Sequence, residues 1–180
     1  MSKAVLISIR PKWCQKIMTG QKTIEVRKTR PKMNPPFKCY IYCTKPEEKL
    51  LAIMKDGDEN YGEIYHGKPV FIKTEKAPTT GILDMRQKVI GEFVCDEIIS
   101  IDGAGKIPSD IARPTCLEPA ELHQYLRAAV GYGWHISNLK IYDHPRDLWE
   151  FTGLRQVKFG WEPVPVSRPP QSWRYVEELP

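Results

Sequence analysis

The stretch Lys88–Ile101 constrains the fold most. Val89, Ile90, Phe93, Val94, Ile98, Ile99 and Ile101 load it with β-branched and aromatic side chains, which suit a pleated, buried surface. It reads as strand throughout, with Gly91 marking a bulge or a close backbone approach. Ala4–Ile9, Lys38–Thr44 and Trp134–Tyr142 read as strands on the same grounds, and Ser172–Val176 as a closing strand after a proline-rich tail. Thr23–Lys28 alternates: Ile24 and Val26 face one way, Thr23, Glu25 and Arg27 the other, as in a half-buried strand with a polar face. Helices are short. One starts at Pro11, buries Trp13 and Ile17, and ends at Gly20. A second runs from the Thr115-x-x-Glu118 pattern to about Ala129. His144–Thr152 forms a third, and Asp102–Arg113 reads as loop.

Residues 46–86 are broken by Asp56-Gly57, Gly67-Lys68-Pro69 and Ala77-Pro78 and show weak periodicity. They read as a peripheral insertion, with a short helix over Glu47–Lys55 and an edge strand over Val70–Thr74. The remaining order, mostly strands with three short helices, contains no dominant strand–helix–strand repeat and no Gly-rich phosphate loop. A single α+β domain over residues 1–180 is expected, built as a small, mostly antiparallel β-barrel with flanking helices.

The net charge of +5 hides a strong asymmetry. Residues 1–46 carry eleven Lys and Arg against one acid, Glu25, a net +10, and the remainder is −5. A basic lobe of this density favours a polyanion, because each phosphate contact releases condensed counterions. A solvated basic face with no partner is the plain alternative. No apolar run approaches the roughly 18 residues of a membrane span, so a cytoplasmic chain with no membrane partner is expected.

The segment Gly20-Gln21-Lys22-Thr23-Ile24-Glu25-Val26-Arg27-Lys28 sets a lysine at the mouth of a strand and puts Glu25 and Arg27 on one face. The pattern Gly-x-Lys-x-x-Glu-x-Arg after a short helix resembles the signature of the ASCH family, a branch of the PUA-like superfamily. Ser8-Ile9-Arg10-Pro11, Lys88-Val89-Ile90-Gly91-Glu92-Phe93 and Pro170-Gln171-Ser172-Trp173 also look like ASCH sequence, and the resemblance covers most of the chain outside 46–86. It implies a PUA-like barrel with a cleft at one end and an RNA-binding module tied to translation or its regulation. It also implies that the chain is similar to enzymes, since some members deacylate modified cytidines and others cleave RNA. The deacylating branch supplies a Lys, a Thr three residues on, and a later Glu. Lys22 matches the Lys, position 25 is Glu, and Ile111-Ala112-Arg113-Pro114 holds no matching acid, so the carry-over reaches Lys22 alone.

The chemistry of the residues supports two readings. In the first, Lys22, Arg27, Arg30, Arg10 and Lys12 meet phosphate on an RNA or nucleotide-like ligand. Glu25 accepts from a base amino group, and Gln171 and Trp173 close the cleft. Trp13, Tyr40, Tyr42 and Trp173 are candidates to stack on a base. In the second, Lys22 and Glu25 are the catalytic acid–base pair of a hydrolase acting on a modified nucleoside or RNA. A third, protein-interaction reading rests on residues 46–86. Against these stand plain structural roles: a Glu25–Arg27 surface pair, Trp13 packing its helix, and Trp134, Trp149 and Trp161 serving cores.

No cofactor is expected. Of the five cysteines only Cys39 and Cys43 are close, they share a strand face as small buried hydrophobes, and no histidine is spaced to complete a zinc set. Protein purified without added metal is therefore expected to contain zinc well below stoichiometry by mass spectrometry. One zinc per chain, lost on changing Cys39 or Cys43 to Ala, would show the reading wrong.

Overall fold

The apolar run at the start of the chain becomes an interior strand of the main sheet. In the computed structural model, which describes residues 2–45, 52–55, 71–74 and 87–180, β1 (Lys3–Ile9) leads into helix α1 (Pro11–Met18), then β2 (Ile24–Arg27) and β3 (Phe37–Cys43). Next come β4 (Ala52–Lys55), β5 (Phe71–Thr74), β6 (Val89–Cys95) and β7 (Ile98–Asp102). Helices α2 (Ser109–Thr115) and α3 (Pro119–Leu126) precede β8 (Val130–His135) and β9 (Ser137–Arg146). A 3₁₀ turn at Leu148–Glu150 precedes β10 (Thr152–Val157), β11 (Gly160–Pro165) and β12 (Trp173–Glu177).

Seven strands form a mixed sheet in the order β11-β10-β12-β1-β3-β6-β9, and β2-β8-β7 form a second, antiparallel sheet. Within the large sheet only β1 and β3 run parallel, with Val5 opposite Cys39 and Ile9 opposite Cys43. Both strands are buried on both faces, which is why they read as unbroken apolar runs. Their alternation splits two cores. Val5, Ile7, Ile9, Cys39, Ile41 and Cys43 point at Trp134 of the second sheet and at Cys14 and Ile17 of α1. Ala4, Leu6, Tyr40 and Tyr42 point the other way, towards Phe151 and Val176. A third core sets Ile24, Val26 and Ile101 of the second sheet under Leu122 and Leu126 of α3. This is a sheet-dominated α+β fold. Among the described residues its ladders trace two open sheets and a separate β4–β5 pair, and do not close into a single ring.

The structure corrects several sequence expectations. The run Lys88–Ile101 divides at Asp96-Glu97: β6 stays in the large sheet and β7 crosses to the second. Trp134–Tyr142 divides likewise at Ile136, between β8 and β9. The two corners are stapled together. The His135 amide donates to the Glu97 carbonyl at 2.9 Å, and His135 Nδ1 lies 2.6 Å from an Asp96 carboxylate oxygen. The His135 hydrogen bond holds the Asp96 carboxyl below its ordinary value. Neither corner carries Gly or Pro, so the composition of the runs hides the breaks.

Helix α3 starts at Pro119 and not at Thr115, because the capping box is made by Glu118 and Glu121. It stops at Arg127, which adopts a left-handed conformation with φ 54°, ahead of the glycines expected to end it. Part of the expected Asp102–Arg113 loop is α2. His144–Thr152 is the end of β9 followed by the 3₁₀ turn, and Trp149, expected in a core, is 77% exposed. Thr152–Pro165 forms the β10–β11 hairpin, whose second strand ends inside the proline-rich tail. Pro163 and Pro165 are tolerated there because β11 is an edge strand. Ala52–Lys55 is strand rather than the end of a helix. Gly91 does mark a close approach, since a Cβ there would lie 2.5 Å from the Lys140 carbonyl oxygen.

Most of residues 46–86 lie outside the described residues, but their flanks are fixed. The Gln87 amide donates to the Cys43 carbonyl at 2.7 Å, and the Cys43 amide to the Lys88 carbonyl at 2.9 Å. The chain therefore leaves and rejoins the large sheet at neighbouring positions, which a short turn can span. Replacing residues 46–86 with a short Gly/Ser linker between Lys45 and Gln87 is expected to leave one cooperative unfolding transition in urea. A broad, non-cooperative transition would show that the segment belongs to the core.

Candidate functional site

The polar face of β2 is not exposed. Lys22, Glu25 and Arg27 are 2%, 6% and 9% exposed, and all three line one cavity of about 760 Å³. Gly20, at φ +72°, ends the α1 turn and delivers Lys22 to it. The period of two in β2 then sends Glu25 and Arg27 to the cavity, while Ile24 and Val26 anchor the strand on the third core.

Glu25 is bracketed by both cations. One of its oxygens is 3.3 Å from Lys22 Nζ and the other is 3.0 Å from Arg27 Nη2. Each cation is held from behind by a main-chain carbonyl. Lys22 Nζ donates to Thr115 at the end of α2, at 2.7 Å, and Arg27 Nη2 donates to Ser8 of β1, also at 2.7 Å. Lys22 Nζ also sits 5.1 Å from the centre of the Trp13 ring. Among the described residues, Arg27 Nε is buried with no hydrogen-bond partner. The floor thus carries two cations against one carboxylate and has donor capacity to spare, a surplus suited to an acceptor-bearing ligand. Arg10 and Gln171, both exposed, stand at the rim.

Neighbouring groups narrow the chemistry. Cys14 lies in the core beneath the floor, and burial pushes its thiol well above the ordinary value, so it stays protonated and is no nucleophile. Burial likewise raises the Tyr125 phenol, which remains neutral at the cavity wall. The Cys95 thiol, raised by burial to about 12, is equally inert.

Of the residues singled out from sequence, Lys22, Glu25, Arg27, Arg10 and Gln171 come together at this cavity. Lys12, Arg30 and Trp173 are not among its lining residues. Lys12 Nζ stands 4.7 Å from the centre of the Trp13 ring, and the Arg30 guanidinium stands 5.9 Å from that of Tyr132. Trp173 packs against Trp134 and Tyr175, with its Nε1 donating to Thr29 Oγ1 at 3.0 Å. Among the stacking candidates, Trp13 and Tyr42 line the cavity. Tyr40 is buried in the second core, its ring edge-on to Phe151.

Sequence reading missed Thr115, Ser8 and Tyr125. The first two act through backbone carbonyls, which carry no sequence signal. Tyr125 had one: it is the aromatic residue off the Leu122–Leu126 apolar face of α3.

No family model matches the sequence, and no curated protein matches it. Crystal structures of an ASCH protein from Zymomonas mobilis match the fold at TM-score 0.53 and 16% identity. The likeness covers 97% of this chain and 88% of that one for the protein as such. It covers 98% and 92% for a tyrosine-to-phenylalanine mutant, and 97% and 89% for a serine-to-alanine mutant.

The buried triad makes a stability prediction. Glu25→Gln removes the anion that bridges two buried cations. It is expected to cost about 2–4 kcal/mol in urea denaturation, just under the ~3–5 of a fully enclosed pair because the site opens to a cavity. An unchanged midpoint would mean that water already neutralises the triad.

Proposed function

We propose that this chain, whose fold is that of an ASCH domain, binds single-stranded RNA or a nucleotide in the cavity floored by Lys22, Glu25 and Arg27. The observation that carries the reading is the buried triad itself. Burying three charges costs several kcal/mol per ion before any pairing, so such a network is a poor device for stability alone. Set in the wall of a cavity, with Arg27 Nε left unpartnered, it is suited to a ligand. The volume falls within the roughly 300–1,000 Å³ of small-molecule sites. The floor belongs to the segment of net +10, whose field draws polyanions.

In this reading Lys22 and Arg27 hold phosphate, Arg10 gathers it at the rim, and Glu25 accepts from an amino-bearing base edge with the lone pairs its two cations leave open. Trp13 or Tyr42 stacks on the base. A hydrolase is the second reading, favoured by the 3.3 Å approach of Lys22 Nζ to Glu25 in a secluded cavity, a geometry able to pass a proton.

Affinity for labelled single-stranded oligonucleotides is expected to fall with salt, with a log–log slope of about −0.7 per phosphate contact. Arg10→Glu and Lys22→Met should weaken binding to all sequences alike. Glu25→Gln, assayed well below its melting temperature, should change base preference more than overall affinity, because base contacts specify and phosphate contacts position. No binding by the wild type at low salt would end this reading. Turnover of an acylated cytidine or of RNA, lost in Lys22→Met, would put the hydrolase in its place.

A further inference from the structure

Of the three aromatic residues that line the same cavity, Trp13, Tyr42 and Tyr125, the first and last are attended by lysine, whereas Tyr42 is buried in the second core. Trp13, on α1, has the ammonium groups of Lys12, Lys22 and Lys16 at 4.7, 5.1 and 6.0 Å from its ring centre. Tyr125, on the last turn of α3, has Lys28 at 5.1 Å. These aromatics come from different helices, and the strand that supplies the floor, β2, runs from the Lys22 end of the site out to Lys28. Tyr125 is 40% exposed even though it belongs to the cavity wall, so part of its ring is open at the mouth. Lys12 and Lys28 are exposed and on flexible stems, able to swing from a ring face to a phosphate. Between the two aromatics lies a floor of net positive charge with an unpartnered buried donor.

A single nucleotide has one base and needs one such platform. Two platforms separated by a donor-rich floor match two bases joined by a phosphodiester. Stacking on aromatic rings tolerates any base, and the charged floor tolerates any sequence, so the arrangement suits a strand rather than one metabolite. Acidic side chains on this flank of α3 do not oppose the path directly. Glu121, one turn before Tyr125, is turned back onto the Glu118 amide at 2.8 Å.

We propose that the cavity is one station of a single-strand track. One base stacks on Trp13 and the next on Tyr125. The linking phosphate lies over Lys22 and Arg27, and Lys28 takes the phosphate that follows. The proposal rests on the RNA-binding reading and sharpens it, since the smallest well-bound ligand becomes two joined ribonucleotides and not a free mononucleotide.

The test compares uridine monophosphate, the diuridine dinucleotide carrying a 5′-phosphate, and tetrauridylate by titration at one low salt concentration, with tetrauridylate titrated across a salt series as well. Wild type, Tyr125→Ala, Tyr125→Phe and Lys28→Gln are measured side by side. The wild type should show a step of about tenfold from mononucleotide to dinucleotide, as expected for one added stacked base. Tyr125→Ala should abolish the step and Tyr125→Phe should keep it. Lys28→Gln should lower the affinity for tetrauridylate and flatten its salt dependence by about one phosphate contact. Equal affinity for all three ligands in the wild type, or a step that survives in Tyr125→Ala, would overturn the track while leaving the cavity as a nucleotide site. Absence of binding by any of the three would overturn both the track and the reading beneath it.

Discussion

Glu25 holds the site together because each of its carboxylate oxygens faces a different cation, and each cation is anchored to a different part of the chain. Lys22 reaches the carbonyl at the end of α2, and Arg27 reaches the carbonyl of Ser8 on β1. Three segments distant in sequence thereby meet at one carboxylate. In water such a network would be worth little. At 2–9% exposure its Coulomb terms are strong and the cost of breaking one member is high. The same burial leaves Arg27 Nε without a partner, so the cluster that orders the floor also keeps an open demand for an acceptor.

That floor is possible only because the second sheet stands beside the first. β2 packs Ile24 and Val26 on α2 and α3, which turns its polar side towards the cavity. The chain passes between the sheets at Asp96-Glu97 and again at Ile136, and the His135 contacts bind the two crossings into one corner. Trp134, fully buried, fills the gap between the sheets, with Phe37 and Trp173 around it. Trp173 thus supports the sheet that carries Glu25, opposite Trp134 in the ladder, without lining the cavity itself.

The charge asymmetry of the chain takes on spatial meaning in this arrangement. The segment of net +10 supplies β1, α1, β2 and β3, and its side chains divide by depth. Lys22 and Arg27 are buried and neutralised in part by Glu25, whereas Arg10, Lys12, Lys28 and Arg30 remain exposed. A long-range field that gathers anions and a short-range cluster that can fix one therefore come from the same stretch of chain. The sheet-dominated framework is shared with the ASCH protein of Zymomonas mobilis, and at 16% identity that likeness speaks of fold.

Local sequence was enough to determine the strands β1, β2, β3 and β12, the start of α1 at Pro11, the close approach at Gly91, and the placing of Glu25 and Arg27 on one face of a strand with Lys22 at its mouth. Each follows from a period of two, a fixed proline φ or a missing Cβ, which are properties of a few neighbouring residues. It could not place the breaks in Lys88–Ile101 and Trp134–Tyr142, because residues that suit a strand suit either sheet and the crossing is set by contacts between the corners. It could not show that the face bearing Glu25 is buried, since period two tells which residues share a face and not what covers it. Nor could it find the Thr115 and Ser8 carbonyls or the place of Tyr125 at the cavity wall. Those positions are decided by β1, α2 and α3 converging on β2, contacts between residues as far as 93 apart in the chain.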